Sequence, residues 1–365
     1  MTVADTIRLT PDEITALSSE QIQELPTILD VLEYLSGIEN VGMQSMLDNQ
    51  VPWLDFNKEG YYEWASDKPW TNESKLMPLS KTPFLLMRGQ NSYYRHCAPS
   101  LYRPQSNMSP DEFKTISRVR TAEFILSYKD HPVIQELRTK CVVEDLAIAQ
   151  HYGFPTEYLD ITNNKWVAAF FATTLCENDV YRLVETGFGQ GYGVLYVVRS
   201  NADFLQPDMQ DRLRALGFQY FQRPTRQNTM VYAMEEGENF DANPAFNRII
   251  FRHDTEASKL VYEYSMRQER YFPKDNLAGL AQSIREPEYK VSKGAIALSH
   301  KLGVNATDEE ICALLNHFGM GYTDNMEPIA HFPEEIVRQE QKAWNEYDRV
   351  YLHRHIMPIV PVYKI

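Results

Sequence analysis

The chain of 365 residues is short of cysteine, of long apolar runs and of basic charge, and each shortage excludes something. Its four cysteines, Cys97, Cys141, Cys176 and Cys312, lie far apart. That spacing excludes a disulfide framework and a zinc ribbon, and predicts free thiols in a reducing, cytoplasmic setting. The longest nearly apolar stretch, Trp166 to Cys176, is 11 residues long, whereas a membrane-spanning helix needs about 18 or more. The start, MTVADTIRLTPDEI, has no basic region followed by an apolar core, so no secretory signal is expected. There is no G-x-G-x-x-G, no P-loop and no serine in a nucleophile elbow. No Cys or His spacing matches a metal site: His353-Arg354-His355 would point to opposite faces of a strand. Sequence adjacency also makes Cys97 and His96 a poor dyad. Internal repeats and low-complexity tracts are lacking, which excludes solenoids and disordered arrays.

What is there is globular: 43% hydrophobic, 12% aromatic and 24% charged residues. A length near 365 predicts about two domains at ~150 residues each. The 50 acidic against 36 basic residues give a net charge of -14, a field that opposes non-specific nucleic-acid binding. The excess is concentrated at one end, where residues 1–80 hold 14 acids and four bases. One stretch runs the other way. Arg212, Arg214, Arg223 and Arg226 occur without an acid between residues 212 and 234, interleaved with Phe218, Tyr220 and Phe221. Arginines beside aromatics suit a nucleotide-stacking groove, and suit an ordinary solvated loop over core aromatics equally well.

Local signals place the elements. Thr10-Pro11-Asp12-Glu13 and Ser109-Pro110-Asp111-Glu112 are helix starts, with a cap, a proline in the first turn and a glutamate three residues on. A short helix is predicted from about Thr27 to Leu35, ending at Gly37. Residues 50–80, rich in Trp, Tyr, Pro and Lys, read as a wrapping loop with short helices. Phe84-Leu85-Leu86-Met87 reads as a buried strand ending in polar Arg88-Gly89-Gln90. A long helical region is expected from Ser109 to about Tyr152, and Asn163 or Asn164 is positioned to cap a helix through Leu175. Residues 193–198, 230–234 and 248–252 read as strands, and 257–267 as a helix. From about residue 286 the chain reads as a helical extension ending in an apolar strand-like run, 356–362. Residues 293–302 and the helix after Thr307 have helix-turn-helix spacing. The second helix opens Asp308-Glu309-Glu310, which would set acids against phosphates, so a plain helical hairpin is expected.

Three stretches together resemble the FRG family, named for a Phe-Arg-Gly signature. They are LLMRGQNSYYRHCAPSLYR at 85–103, AQHYGFPTEYLDITNNKWVAAFFA at 149–172 and FPKDNLAGLAQSI at 272–284. The resemblance covers about residues 80–285, between an acidic N-terminal segment (1–79) and a helical C-terminal extension (286–365). The chain departs from the pattern at Met87 (often Phe or Tyr), Glu157 (usually Arg) and Lys165 (commonly Pro). Downstream, Arg223 and Gln227 match, but the Gly and Phe that usually follow the glutamine are replaced by Thr229 and Val231. The order of parts also resembles ADP-ribosyltransferases. Arg88-Gly89 ends a strand, Asp160-Ile161-Thr162 leads into a helix with Ala168 and Phe171, Gly193-Val194-Leu195 follows, and Gln227 comes last.

This resemblance implies an α+β fold, an ADP-ribosyltransferase-like split antiparallel sheet with surrounding helices and a helical C-terminal extension. It implies NAD as ADP-ribose donor and a macromolecular acceptor. The Arg212–Arg226 stretch favours RNA over protein. FRG-like proteins look like parts of bacterial toxin and phage-defence systems; the excess acid in residues 1–80 suggests a segment that lies over a basic cleft or is bound by an antitoxin or chaperone. The expected catalytic group is Arg88, Thr162, Gln227, His151 and Asp160. Arg88, Gly89, Gln90, Tyr152, Thr162 and Phe171 are expected to hold NAD, and Arg212, Arg214, Arg223 and Arg226 to hold nucleic acid. The chemistry is cleavage of a glycosidic bond through an oxocarbenium-like state. A guanidinium suits the diphosphate, an aromatic suits nicotinamide, and Glu157, Asp160 or His151 could act as base. Each residue also has a structural reading. Arg88 could pair with Asp160 between strands, Tyr152, Phe170 and Phe171 could be core, and Asp160 and Thr162 could form a local turn capping the next helix. His151 could close a helix end, and Gln227, Arg95 and Arg103 could be surface residues. A non-catalytic FRG binding module and an NAD glycohydrolase are the alternatives.

Overall fold

A computed structural model describes residues 1–48, 62–65, 75–78, 85–103, 105–140, 143–199, 212–216, 220–227, 229–347 and 356–357. Four helices open the chain: α1 (Val3–Thr6), α2 (Pro11–Thr15), α3 (Ser19–Glu24) and α4 (Ile28–Asp48). The first three start at capping boxes on Thr2, Thr10 and Ser18, in which cap hydroxyl and third-residue side chain satisfy each other's backbone N–H groups. Strands β1 (Tyr62–Ala65) and β2 (Lys75–Pro78) follow, then β3 (Leu85–Gln90). Next come α5 (Pro110–Lys129), α6 (Pro132–Lys140), α7 (Asp145–His151), β4 (Tyr158–Thr162), α8 (Lys165–Ala172), the hairpin β5 (Thr174–Glu177) and β6 (Val180–Leu183), and β7 (Tyr192–Arg199). After these lie β8 (Leu213–Ala215), α9 (Gln222–Arg226), β9 (Thr229–Ala233), β10 (Asn247–Arg252), α10 (Thr255–Tyr264) and α11 (Asn276–Arg285). The last elements are β11 (Val291–Ser292), α12 (Lys293–Lys301), α13 (Asp308–His317), β12 (Tyr322–Thr323), α14 (Glu334–Tyr347) and β13 (Ile356–Met357).

The architecture is mixed helix and sheet. The main sheet is six-stranded and antiparallel, in the order β10-β7-β3-β4-β9-β8. It is split in the middle: β3 and β4 meet only at Met87 and Thr162. Elsewhere the strands are fully paired, six residues deep between β3 and β7 and five between β4 and β9. Both faces are covered, which is why β7 reads as a nearly continuous apolar run. Leu85, Met87, Leu195, Val197, Ile249 and Phe251 pack on one side with α4 and α8. Leu86, Val194, Tyr196, Val198 and Ile250 pack on the other.

The N-terminal helices belong to these same layers. Val3, Ile28, Val31, Leu32 and Leu35 join the first cluster, and Ile14 and Leu25 the second. The acidic segment through α4 is thus built into the sheet's core; its charge is the solvated face of helices whose other face is buried. Helix α4 also runs through Gly37, where an end was expected, and Ile38 just beyond it packs on the same cluster. Residues 62–65 and 75–78 are paired strands instead of short helices. The long helix expected after Ser109 is three helices: α5 stops at Lys129 and Pro132 opens α6, as a proline cannot continue a hydrogen-bonded helix. Helix α10 ends at Tyr264 because Met266, Arg267 and Gln268 all adopt positive φ. Asn164 caps α8, accepting from Trp166 N and Val167 N, but α8 ends at Ala172 and Leu175 lies in β5.

The C-terminal helices pack behind α5. Ile116, Val119 and Ala122 face Ala295, Ile296, Ile311 and Leu315, and Phe124 and Tyr128 share a cluster with Trp344. The fully buried Glu123 carboxylate anchors them, accepting from Tyr289 Oη (2.9 Å), Ser292 N (2.8 Å) and Ser292 Oγ (2.6 Å). Helices α12 and α13 form the expected hairpin, with Thr307 as cap. No described helix is long and apolar enough to cross a membrane. Cys97, Cys176 and Cys312 are free thiols; Cys141 and His353-Arg354-His355 lie outside the described residues.

Candidate functional site

A cavity of about 470 Å³ opens where the sheet splits. Arg88, Gly89 and Gln90 from the end of β3 line it, with Asp160 and Thr162 from β4, Ala168 and Phe171 from α8, and Gln227 after α9. The hairpin β5–β6 adds Thr174, Cys176 and Tyr181, and the loop after β3 adds Asn91, Tyr94, His96, Cys97 and Arg103. The size falls in the ~300–1,000 Å³ range of small-molecule sites.

Gly89 is there for space. A Cβ on it would lie 1.9 Å from the Ala168 carbonyl oxygen, so the glycine lets α8 press on β3 and brings Phe171 to the cavity wall. Beside it, Arg88 Nη1 donates to the Asp160 carbonyl oxygen at 3.1 Å, across the split. Its Nε is buried with no hydrogen bond among the described residues. Arg88 therefore holds the strands together through the Asp160 backbone and keeps donor capacity unspent. The Gln90 Nε2 donates to Cys97 Sγ at 3.4 Å while its Oε1 is buried without a donor among the described residues.

Asp160 alternates with buried Leu159 and Ile161 along β4, and its side chain keeps 35% exposure. Oδ1 accepts from Gln150 Nε2 at 2.6 Å and lies 3.7 Å from His151 Nε2. His151 is buried at the end of α7; Nδ1 meets Gln227 Oε1 at 3.2 Å. Burial pushes its pKa below the ordinary 6.5, opposed by the Asp160 charge and the Gln227 contact, with Arg223 adding to the lowering. Gln227, 2% exposed, is engaged at both ends, since Nε2 donates to the Tyr271 carbonyl at 3.1 Å. The Thr162 hydroxyl donates to the Gln227 carbonyl at 2.8 Å and accepts from Asn164 N at 3.0 Å, the local turn that leads into α8.

The structure therefore brings Arg88, Gly89, Gln90, Asp160, Thr162, Phe171 and Gln227 to one cavity, with His151 directly behind Asp160. Tyr152 is elsewhere. It is fully buried among Phe124, Phe154 and Ile148, with its hydroxyl on Asp275 Oδ2 at 2.5 Å; one step along the turn after α7 points it into the helical layer. Glu157 pairs with Arg118 at 2.8 Å, away from the cavity. Arg95 pairs with Asp12 of α2.

The four arginines expected to bind nucleic acid lie in different settings among the described residues. Arg212 bonds Glu238 at 2.5 Å. Arg214 lies over the Tyr158 ring and reaches its hydroxyl at 3.3 Å. Arg223 stacks over Tyr152 at 4.7 Å and reaches the His151 carbonyl at 3.4 Å. Arg226 is exposed at the end of α9. Tertiary partners hold Arg212, Arg214 and Arg223, which composition alone does not reveal.

Two wall residues, Tyr181 and Cys176, and Gln150 behind Asp160 carried no functional expectation. Tyr181 is stacked on Phe272 at 4.6 Å, and burial raises its hydroxyl pKa well above the ordinary value. Gln150 orients Asp160, and its place in the Gln-His-Tyr-Gly run was the available signal. Cys176, whose thiol pKa burial raises, had none. Among the described residues no cluster of His, Cys, Asp or Glu is arranged to hold a metal ion. For a nucleotide the donor set fits: Arg88 with its uncommitted Nε, and Arg103, held by its Nε to the Ala98 carbonyl at 3.0 Å, present two guanidiniums to one cavity whose aromatic walls are Phe171 and Tyr181.

Residues 84–179 match the FRG domain family. The match runs from β3 to the tip of the β5–β6 hairpin. It takes in Arg88, Gly89, Gln90, His151, Asp160, Thr162 and Phe171 and ends before Gln227. No curated protein and no solved structure matches the chain.

Proposed function

We propose that the cavity binds NAD and that the protein is an ADP-ribosyltransferase acting on a cytoplasmic macromolecule, as an effector in a bacterial toxin–antitoxin or phage-defence setting. One observation carries the reading. The Arg-Gly strand end, the Asp-x-Thr strand and the aromatic helix residue, which the resemblance makes the parts of an NAD site, line a single cavity at the split of the sheet. In this reading Arg88 and Arg103 take the diphosphate as planar, permanently charged donors. Phe171 and Tyr181 offer ring faces to the bases. Asp160 is the one carboxylate among the described wall residues and would stabilise positive charge developing on the ribose. The acceptor is RNA or protein; the arginine stretch that favoured RNA is engaged within the fold, so both belong in the test.

The test is nicotinamide release from NAD by the purified full chain, alone, with total RNA and with total protein, beside Arg88→Ala and Arg88→Lys. Release that depends on one acceptor, labels it with ADP-ribose and falls in both variants is the expected result. Release without labelling makes the protein an NAD glycohydrolase. No release by folded protein freed of any antitoxin or chaperone rejects the enzyme reading. A second reading, a non-catalytic FRG binding module, is favoured by Gln227 and Thr162, whose polar atoms are all engaged inside the protein. NAD binding without turnover would select it.

A further inference from the structure

Two glutamine amides fix the orientation of the groups around Asp160. The Thr156 hydroxyl accepts from Tyr158 N at 3.2 Å and donates to Gln150 Oε1. Gln150 therefore turns its NH₂ to Asp160 Oδ1, at 2.6 Å. On the other side Gln227 gives its NH₂ to the Tyr271 carbonyl, so its Oε1 faces His151 Nδ1. Flipping that amide would set two oxygens against each other. An amide oxygen only accepts, so the hydrogen of the imidazole sits on Nδ1. In the neutral ring Nε2 is then a bare lone pair. That atom is buried, has no hydrogen bond among the described residues, and stands 3.7 Å from Asp160 Oδ1.

A buried lone pair facing a carboxylate is a place for one shared proton. Resting on the NAD reading, we propose that Asp160 is the catalytic carboxylate, that His151 Nε2 shares the proton it takes, and that Gln227 is a positioning residue that sets the His151 tautomer. In the transfer, the acceptor oxygen bonds to the ribose C1′ as the bond from C1′ to nicotinamide breaks. The electron pair of that bond leaves with nicotinamide, which departs neutral. The proton of the acceptor hydroxyl goes to Asp160 and on to Nε2, leaving a carboxylate beside an imidazolium. The arrangement gives the carboxylate a second proton acceptor within one small displacement. It also gives Gln227 a reason to be there without reaching the ribose.

The test uses the full chain labelled with ¹⁵N-histidine, the His151 signals being assigned by their loss in His151→Gln. The two ring-nitrogen shifts report the tautomer without NAD. The expected result is the Nδ1–H tautomer, lost in Gln227→Leu. Asp160→Asn is expected to lower the rate of nicotinamide release at least about 100-fold with KM for NAD changed less than about threefold. An Nε2–H tautomer in the unmodified protein overturns the positioning role, and is decisive even where Gln227→Leu does not fold. An Asp160→Asn protein with undiminished kcat overturns the catalytic role. Unmodified protein that neither binds nor cleaves NAD removes the NAD reading and the transfer built on it, whereas the tautomer stands or falls on its own spectrum.

Discussion

Gly89→Ala tests whether the cavity wall depends on one missing methyl group. The added Cβ would sit 1.9 Å from the Ala168 carbonyl oxygen and 3.0 Å from Ala172 Cβ. Both belong to α8, and the carbonyl is backbone held in the helix, so no side chain can turn away. An ordinary contact begins near 3.4 Å, which asks α8 to retreat from β3 by ~1.5 Å. A gap of that size forfeits much of the dispersion contact along the helix, which includes Val167, Ala168, Ala169, Phe170 and Ala172 in the cluster with Leu85 and Met87. Overpacking ordinarily costs ~1–3 kcal/mol; with backbone as the obstacle, about 3 kcal/mol or more is expected, and a Tm lower by ~4 °C or more. Gly294→Ala is the control. Its Cβ would meet the Met326 carbonyl at 2.0 Å, far from the cavity in α12. Urea unfolding and thermal melts should show a similar stability loss in both proteins, with ligand affinity at the cavity falling only in Gly89→Ala. A Gly89→Ala protein melting within a degree of the unmodified chain would refute the claim that the glycine sets the strand–helix distance.

Other expectations follow from the same geometry. Removing the buried carboxylate in Glu123→Ala orphans the Tyr289 and Ser292 donors, at a cost of roughly 3 kcal/mol; chemical denaturation should find it, and a change under 1 kcal/mol would contradict the anchoring role. Burial holds both His151 and His253 below the ordinary 6.5, so the unfolded chain binds protons that the folded chain does not. Their contribution to stability is full above pH 6.5 and is lost as pH falls from 6.5 toward the lowered folded values, at up to about 1.4 kcal/mol per unit per histidine. Melts between pH 5 and 8 should show this fall, and a double His151→Gln, His253→Gln variant with an equal slope would disprove the assignment. Gln268 accepts from Tyr181 N at 2.7 Å and donates to the Asp179 carbonyl at 3.3 Å, tying down the β5–β6 hairpin that walls the cavity. Gln268→Ala should speed hydrogen exchange across residues 174–183 with little change elsewhere; unchanged exchange would mean the Arg285–Asp179 pair suffices.

Much of this protein is written locally. The caps at Thr10, Ser109, Asn164 and Thr307, the apolar run at 193–198 and the strand closing on Arg88-Gly89 can be read along the chain because capping and side-chain alternation involve residues a few positions apart. The FRG match depends on the same kind of information, a run of residues in order. Which groups are spent and which are available was decided elsewhere. Gln227 meets His151 across 76 residues and the Arg88 guanidinium meets the Asp160 backbone across 72. Tyr152 turns into the helical layer while its neighbour His151 turns to the site, and three arginines from a stretch free of acids find partners in Glu238, Tyr158 and Tyr152. The acidic N-terminal helices, separable by composition, are inseparable by packing. Hydrogen-bond partners depend on strand register and on what burial removes from water, neither of which is a property of a short stretch of sequence. The order of the parts was determined by the sequence; the tautomer, the free donors and the cavity were decided by the tertiary structure.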